Sequence, residues 1–290
     1  MTKISDYADL FALDGVWRKK RAEKKIYFTD KSLRTRAAIM HNYIMLLWGS
    51  EDPRKLTVRM IDLAMEGITS KLTERPLAGA TRNRILSVLS ELYLYLIEED
   101  RAKINPVLNV TRCRSQPEHP RGAVSIATMK QLFPVDHAGM RKLYVSQKYI
   151  CAFLVLRDTG LRPGELIALR WRDWHPDLRF FPVMRAIESG TRTNEKGTKT
   201  GATKPAMVTQ QAAGEMERLR KKVKPEPEQF IFANYKGIPF DTHRLNWAFR
   251  RAVKLADIGR DDLTPYWLRH TFNTRALETL PDDVVRRLMG

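Results

Sequence analysis

The chain has 290 residues, 51 Lys and Arg against 33 Asp and Glu, a formal net charge of +18 and a pI near 10. At 43% hydrophobic it has enough apolar mass for packed cores, which excludes a disordered basic tail. No run approaches the ~18 apolar residues of a membrane span. The start, MTKISDYADL, has no apolar stretch of the secretory kind. Two cysteines, Cys113 and Cys151, make neither a disulfide framework nor a zinc set. The expectation is a reduced, cytoplasmic protein with a polyanion partner, of which nucleic acid is the commonest.

In chain order, residues 1–30 are charged and are expected to form a basic N-terminal arm, within which WRKKRAEKK (17–25) reads as a helix or arm with one basic face. Asp30 is placed to cap a helix with apolar residues at Leu33, Ala37, Met40, Ile44 and Leu47, ended by Gly49. The same period follows Pro53. A third helix carries Ile85, Leu89, Leu92 and Leu96 on one stripe. Residues 31–104 therefore read as a small helical domain. Residues 105–122 hold three prolines and little apolar pattern, which is a linker signature.

Residues 123–290 read as a second domain. SIATMKQLF predicts a short helix capped by Ser125, and an apolar helix spans 144–158. A tight Gly-Leu-Arg-Pro-Gly turn then opens another apolar helix. LRFFPVMRAI through AMVTQ alternates, predicting strands around a polar turn, NEKGTKTGATK. Beyond Thr209 the pattern is helical again.

Three basic points stand out here: Arg162 in the turn, Lys199 in the hairpin and Arg269 in YWLRHTF. Singly, each reads as a surface charge. Together, TGLRPGELIALRW (159–171) resembles the first signature box of the tyrosine recombinase, or phage integrase, family, TGxRxxEhhxLxW. LTPYWLRHTFNT (263–274) resembles the second, HxLRHTFAT, and TKTGATKPAMVT (198–209) resembles the hairpin that carries the catalytic lysine. The resemblance covers roughly residues 30 to 290.

It implies a mainly α fold with a small β-sheet: a helical core-binding (SAM-like) domain and an α+β catalytic domain, forming a C-shaped clamp on double-stranded DNA. It also implies that Arg162 and Arg269 clamp the scissile phosphate, that Lys199 protonates the leaving 5′ oxygen, and that Glu165 orients the site. Arginine suits such a clamp because its planar fork stays charged and donates two hydrogen bonds at once. Arg34, Arg36, Arg82, Arg84, Arg112, Arg114, His243 and Arg244 are the candidate DNA contacts. The implied partners are a specific DNA site, a homotetramer on DNA in the full-length form and accessory DNA-bending proteins, with no metal or other cofactor. The implied setting is a bacterial cytoplasm.

Two departures qualify the resemblance. Tyr266 stands where the second box begins with histidine; a phenol donates a hydrogen bond but shuttles protons poorly near neutral pH. And the family's nucleophilic tyrosine follows a segment that here reaches only RRLMG. The expectation is a shortened recombinase whose nucleophile lies beyond residue 290, so that the 290-residue chain does not cleave. The alternative is an inactive relative that binds DNA as a regulator or architectural protein.

Overall fold

The computed structural model describes residues 2–70, 74–114, 123–188, 195–197 and 203–289. Its contacts divide into two units, Met1–Glu118 and His119–Gly290, each with its own core.

The first unit is helical: α1 (Val16–Glu23), α2 (Asp30–Ile39), α3 (Met45–Trp48), α4 (Val58–Gly67) and α5 (Gly79–Glu98). A π-turn over Met40–Ile44 joins α2 to α3. The long helix α5 buries Ile85, Leu89, Leu92 and Leu96 along one stripe, as its 3.6-residue period requires. Thr29, not Asp30, caps α2: its Oγ1 accepts from Ser32 N at 3.2 Å, and Asp30 is already the first helical residue. A side chain can cap only from the non-helical residue before the helix.

The first thirty residues are not an arm. Ile4, Phe11 and Trp17 are each 1% exposed or less and join the same core. The basic face of α1 lies against the acidic end of α5. Arg21 stacks on Trp17 at 4.1 Å and bonds Glu98 at 2.6 Å; Lys24 bonds Glu98 at 2.8 Å; Lys20 pairs with Glu99. The stretch looked free because its neutralising carboxylates lie over seventy residues away. The expected linker also starts later than residue 105. Val107 and Val110 are buried in this core, and Asn105 Nδ2 donates to Ser90 Oγ at 2.9 Å. Pro106 starts a 3-10 turn there.

The second unit holds α6 (Ile126–Leu132), α7 (His137–Leu143), α8 (Gln147–Thr159), α9 (Pro163–Ile167), α10 (Gln210–Val223), α11 (Thr242–Leu255), α12 (Pro265–Thr279) and α13 (Asp282–Met289). Ser125 caps α6 as expected, accepting from Thr128 N at 3.1 Å. The apolar run at 144–158 begins its helix only at Gln147, because α7, capped by Asp136, comes before it. Ten of the thirteen residues of α8 are buried. A helix apolar on all sides must sit in the middle of its unit, and α7, α9, α10, α11 and α12 all pack on α8.

The strands form two separate antiparallel pairs. β1 (Phe180–Val183) pairs with β4 (Lys204–Met207), with Val183 opposite Lys204; β2 (Arg185–Ile187) pairs with β3 (Glu195–Gly197). Along β4 the residues alternate, with Lys204 and Ala206 inward and Pro205 and Met207 outward.

Candidate active site

The Gly-Leu-Arg-Pro-Gly corner is built from its own residues. Gly160 ends α8 at φ +61°, in the left-handed region that a Cβ disfavours. A Cβ there would lie 2.6 Å from the Phe272 ring, and one on Gly164 would lie 2.5 Å from the Ile187 carbonyl oxygen. Both glycines are therefore needed for close packing. Asp158 secures the corner from behind. Its Oδ2 accepts from Thr209 N at 2.9 Å and from Thr209 Oγ1 at 2.7 Å, tying the start of α10 to the end of α8. Pro163 occupies the first turn of α9, where a missing N–H costs nothing.

Arg162 is the residue before α9, and Glu165 reaches back to it. Glu165 Oε2 accepts from Arg162 N at 2.9 Å, and Oε1 accepts from Arg162 NH1 at 3.0 Å. The arginine side chain keeps 37% of its surface exposed, while Glu165 is 2% exposed. One side of the guanidinium is thus fixed by a buried carboxylate, and the side chain remains partly exposed.

Arg269 enters from α12 and is 8% exposed. Its NH1 donates to Gly160 O at 2.6 Å, so the same glycine also supplies the acceptor that aims the second arginine. Its NH2 donates to Met289 O, the carboxyl end of α13, at 2.9 Å. Burial, then the charge of Arg162, draws the Arg269 guanidinium below its ordinary value; an arginine nevertheless remains charged at any physiological pH. The helix that carries it is anchored through Thr271, whose Oγ1 accepts from Val124 N at 2.9 Å and donates to Trp267 O at 2.8 Å.

Lys204 of β4 completes the group. It is 2% exposed, donates to Glu165 Oε1 at 2.5 Å and to Met289 O at 3.1 Å. Burial draws its ammonium below the usual lysine range, against the opposing pull of Glu165. Burial alone would push the Glu165 carboxyl up. The hydrogen bonds from Lys204 and Arg162, with the Lys204 charge, outweigh it and hold that carboxyl below the ordinary carboxylate range. Three cations around one buried carboxylate leave a surplus of positive charge, the arrangement that stabilises a phosphate gaining negative charge.

This site lies inside residues 129–290, which match the model of the Phage integrase family. The chain belongs to the phage integrase family. Among the relatives of this integrase-family chain, tyrosine recombinase XerC of Bacillus pumilus is 27% identical, over 76% of this chain and 70% of that protein. Tyrosine recombinase XerD of Lacticaseibacillus casei is 26% identical, over 73% and 69%. In fold, the chain is similar to the Tn1549 transposon integrase solved with a circular intermediate DNA, with a TM-score of 0.76 at 17% identity over 100% of this chain and 91% of that one. It is also similar to a lambda integrase dimer bound to a core site, with a TM-score of 0.71 at 16% identity over 100% and 95%.

Of the five expected family site residues, the structure brings Arg162, Glu165 and Arg269 together. Lys199 lies outside the described residues. Tyr266 is 42% exposed, one turn before Arg269 on α12, with its ring edge-on to His270 at 4.9 Å. The sequence reading missed Lys204 and the carbonyls of Gly160 and Met289. A lysine in the inward series of a strand, in register with Ala206, was the available signal.

The expected DNA contacts separate by their local partners. Arg36 donates to Glu91 through Nε at 2.6 Å and NH2 at 2.9 Å, and it stacks on Phe28 at 4.6 Å. Its charge is already matched within the fold. Arg82 NH1 donates to Met65 O at 3.3 Å, and Arg112 NH1 donates to Asn83 O at 3.2 Å and Ser87 Oγ at 3.1 Å. Arg34 and Arg84 are exposed and, with Lys31, Asn42 and Thr81, line a surface hollow of about 370 Å³. Arg114, His243 and Arg244 are exposed.

Proposed function

We propose that this chain belongs to a site-specific DNA recombinase, the integrase of a mobile element, and that it holds a scissile phosphodiester between Arg162 and Arg269. The observation that carries the reading is that one corner holds both guanidiniums, the partly exposed Arg162 on Glu165 and the buried Arg269 on the Gly160 carbonyl, in the segment that matches the integrase family. Attack on a phosphodiester raises the charge on the non-bridging oxygens. Preorganised donors in a poorly hydrated site stabilise that charge without reorganising at the moment of reaction.

In this reading a tyrosine encoded beyond residue 290 attacks phosphorus, and a 3′-phosphotyrosyl bond forms as the bond to the 5′ oxygen breaks. Lys199 supplies the proton that the 5′ oxygen takes up. Tyr266 donates a hydrogen bond to a phosphate oxygen in place of the family's histidine. Arg34, Arg84, Arg114 and Arg244 are the exposed cations offered to DNA phosphates. The Tn1549 and lambda integrases solved on DNA, the latter also as a tetramer on a Holliday junction, support assembly of four copies on DNA.

The test is covalent trapping on a nicked suicide duplex carrying the element's end, using this chain and the chain extended through its native reading frame. An adduct from the extended chain alone supports the recombinase. Tight specific binding by both with no adduct from either indicates a DNA-binding regulator instead. An adduct from the 290 residues themselves would make a tyrosine such as Tyr266 the nucleophile.

A further inference from the structure

Lys204 is more deeply buried than either arginine, yet it belongs to neither signature box. An unpaired ammonium at 2% exposure would be costly, and lysines are almost never fully buried without a partner. Its two acceptors are unlike one another. Glu165 Oε1 is the oxygen that also takes Arg162 NH1, and Met289 O is the oxygen that also takes Arg269 NH2. A single ammonium therefore touches both groups that hold the two arginines. Met289 belongs to α13, so the Lys204 ammonium and the Arg269 guanidinium share one carbonyl acceptor on that helix. The ammonium is committed to Glu165 and the end of α13, with its stem fixed in β4 opposite Val183.

We propose that Lys204 is a positioning residue: it bolts Glu165 to the carboxyl end of α13 and so sets the separation and aim of Arg162 and Arg269. The inference rests on the recombinase reading above and adds to it a link between the clamp and the C-terminal helix. Lowering of its proton affinity by burial also fits a proton donor, and the experiment distinguishes the two roles.

The extended chain carrying Lys204→Met or Lys204→Gln is compared with its parent at a temperature below all their unfolding midpoints. Glutamine keeps a donor for Glu165 and gives a second variant should methionine not fold. Adduct formation is measured in single turnover at saturating DNA, on an ordinary duplex and on one with sulfur replacing the bridging 5′ oxygen. With oxygen, the tyrosine O–P bond forms, the P–O bond breaks and the 5′ oxygen takes a proton. With sulfur, a thiolate leaves and takes none.

A misplaced clamp is expected to slow adduct formation about thirty- to a hundredfold, with DNA affinity within about threefold of the parent, because one phosphate contact among many is disturbed. The deficit persists with sulfur, whereas that of Lys199→Met shrinks. Parent-like rates in folded Lys204 variants overturn the positioning role alone. Sulfur restoring them makes Lys204 the proton donor and also overturns it. A parent chain that forms no adduct on either duplex overturns the recombinase reading and, with it, this inference.

Discussion

Replacing Gly160 with alanine tests the corner on which both arginines depend. The added methyl meets two obstacles. At φ +61° an L-residue is disfavoured by about 1–2 kcal/mol. Its Cβ would also lie 2.6 Å from Phe272 Cδ1 and 3.0 Å from Cγ, so the ring or the chain must move, at about 1–3 kcal/mol for an overpacked core. Alanine stiffens the unfolded chain, which returns about 0.4–1 kcal/mol. The net expectation is a loss of roughly 2–3 kcal/mol. For a unit of this size that is about 5–10 °C in the unfolding midpoint. Thermal unfolding gives the midpoint, and hydrogen exchange assigns the loss to α8, α9 and α12. Gly160→Ala with Phe272→Leu should regain the steric part and leave the backbone part. Because Gly160 O accepts from Arg269 NH1 at 2.6 Å, phosphate affinity should fall even where the variant is fully folded. A Gly160→Ala chain within about 0.5 kcal/mol of the parent would refute both the close approach and the need for a left-handed backbone there.

Glu165→Ala strips Lys204 of its counter-charge and is expected to cost about 3–5 kcal/mol in urea unfolding, with Glu165→Gln falling between it and the parent. The Glu165 carboxyl is held below its ordinary value in the fold, so the unfolded chain takes the proton first on acidification. Its stabilisation is then complete above about pH 4.3 and is lost as the pH falls through the lower folded value; unfolding midpoints between about pH 3 and 6 should fall more steeply for the parent than for Glu165→Gln. Arg36→Ala should lower stability by about 1–2 kcal/mol and leave the salt dependence of DNA binding unchanged, since Arg36 is matched by Glu91. Arg34→Ala and Arg84→Ala should each reduce the slope of log affinity against log salt by about 0.9 if each neutralises one phosphate; unchanged slopes would remove that hollow from the DNA interface.

What was legible in the chain was what neighbours in sequence decide. The stripe Ile85, Leu89, Leu92 and Leu96 declared its helix, Ser125 declared its cap, and the glycines and proline around Arg162 declared a sharp corner before a helix. The family boxes placed Arg162, Glu165 and Arg269 in one site, and the structure brings them together. What was hidden was partnership across long sequence separations. WRKKRAEKK looked like a free arm because its partners, Glu98 and Glu99, come from the far end of another helix. Arg36 likewise has a partner the sequence did not announce, Glu91, 55 residues away.

The sequence by itself determined the helices, the corner and the identity of the cations, because backbone preference and side-chain period act over a few residues. Only the tertiary structure decided what each charge is for. Lys204 meets Glu165 across 39 residues, and Arg269 meets Gly160 across 109. A charge is a solvated ornament or a fixed electrostatic part according to the burial and the partners that folding brings to it.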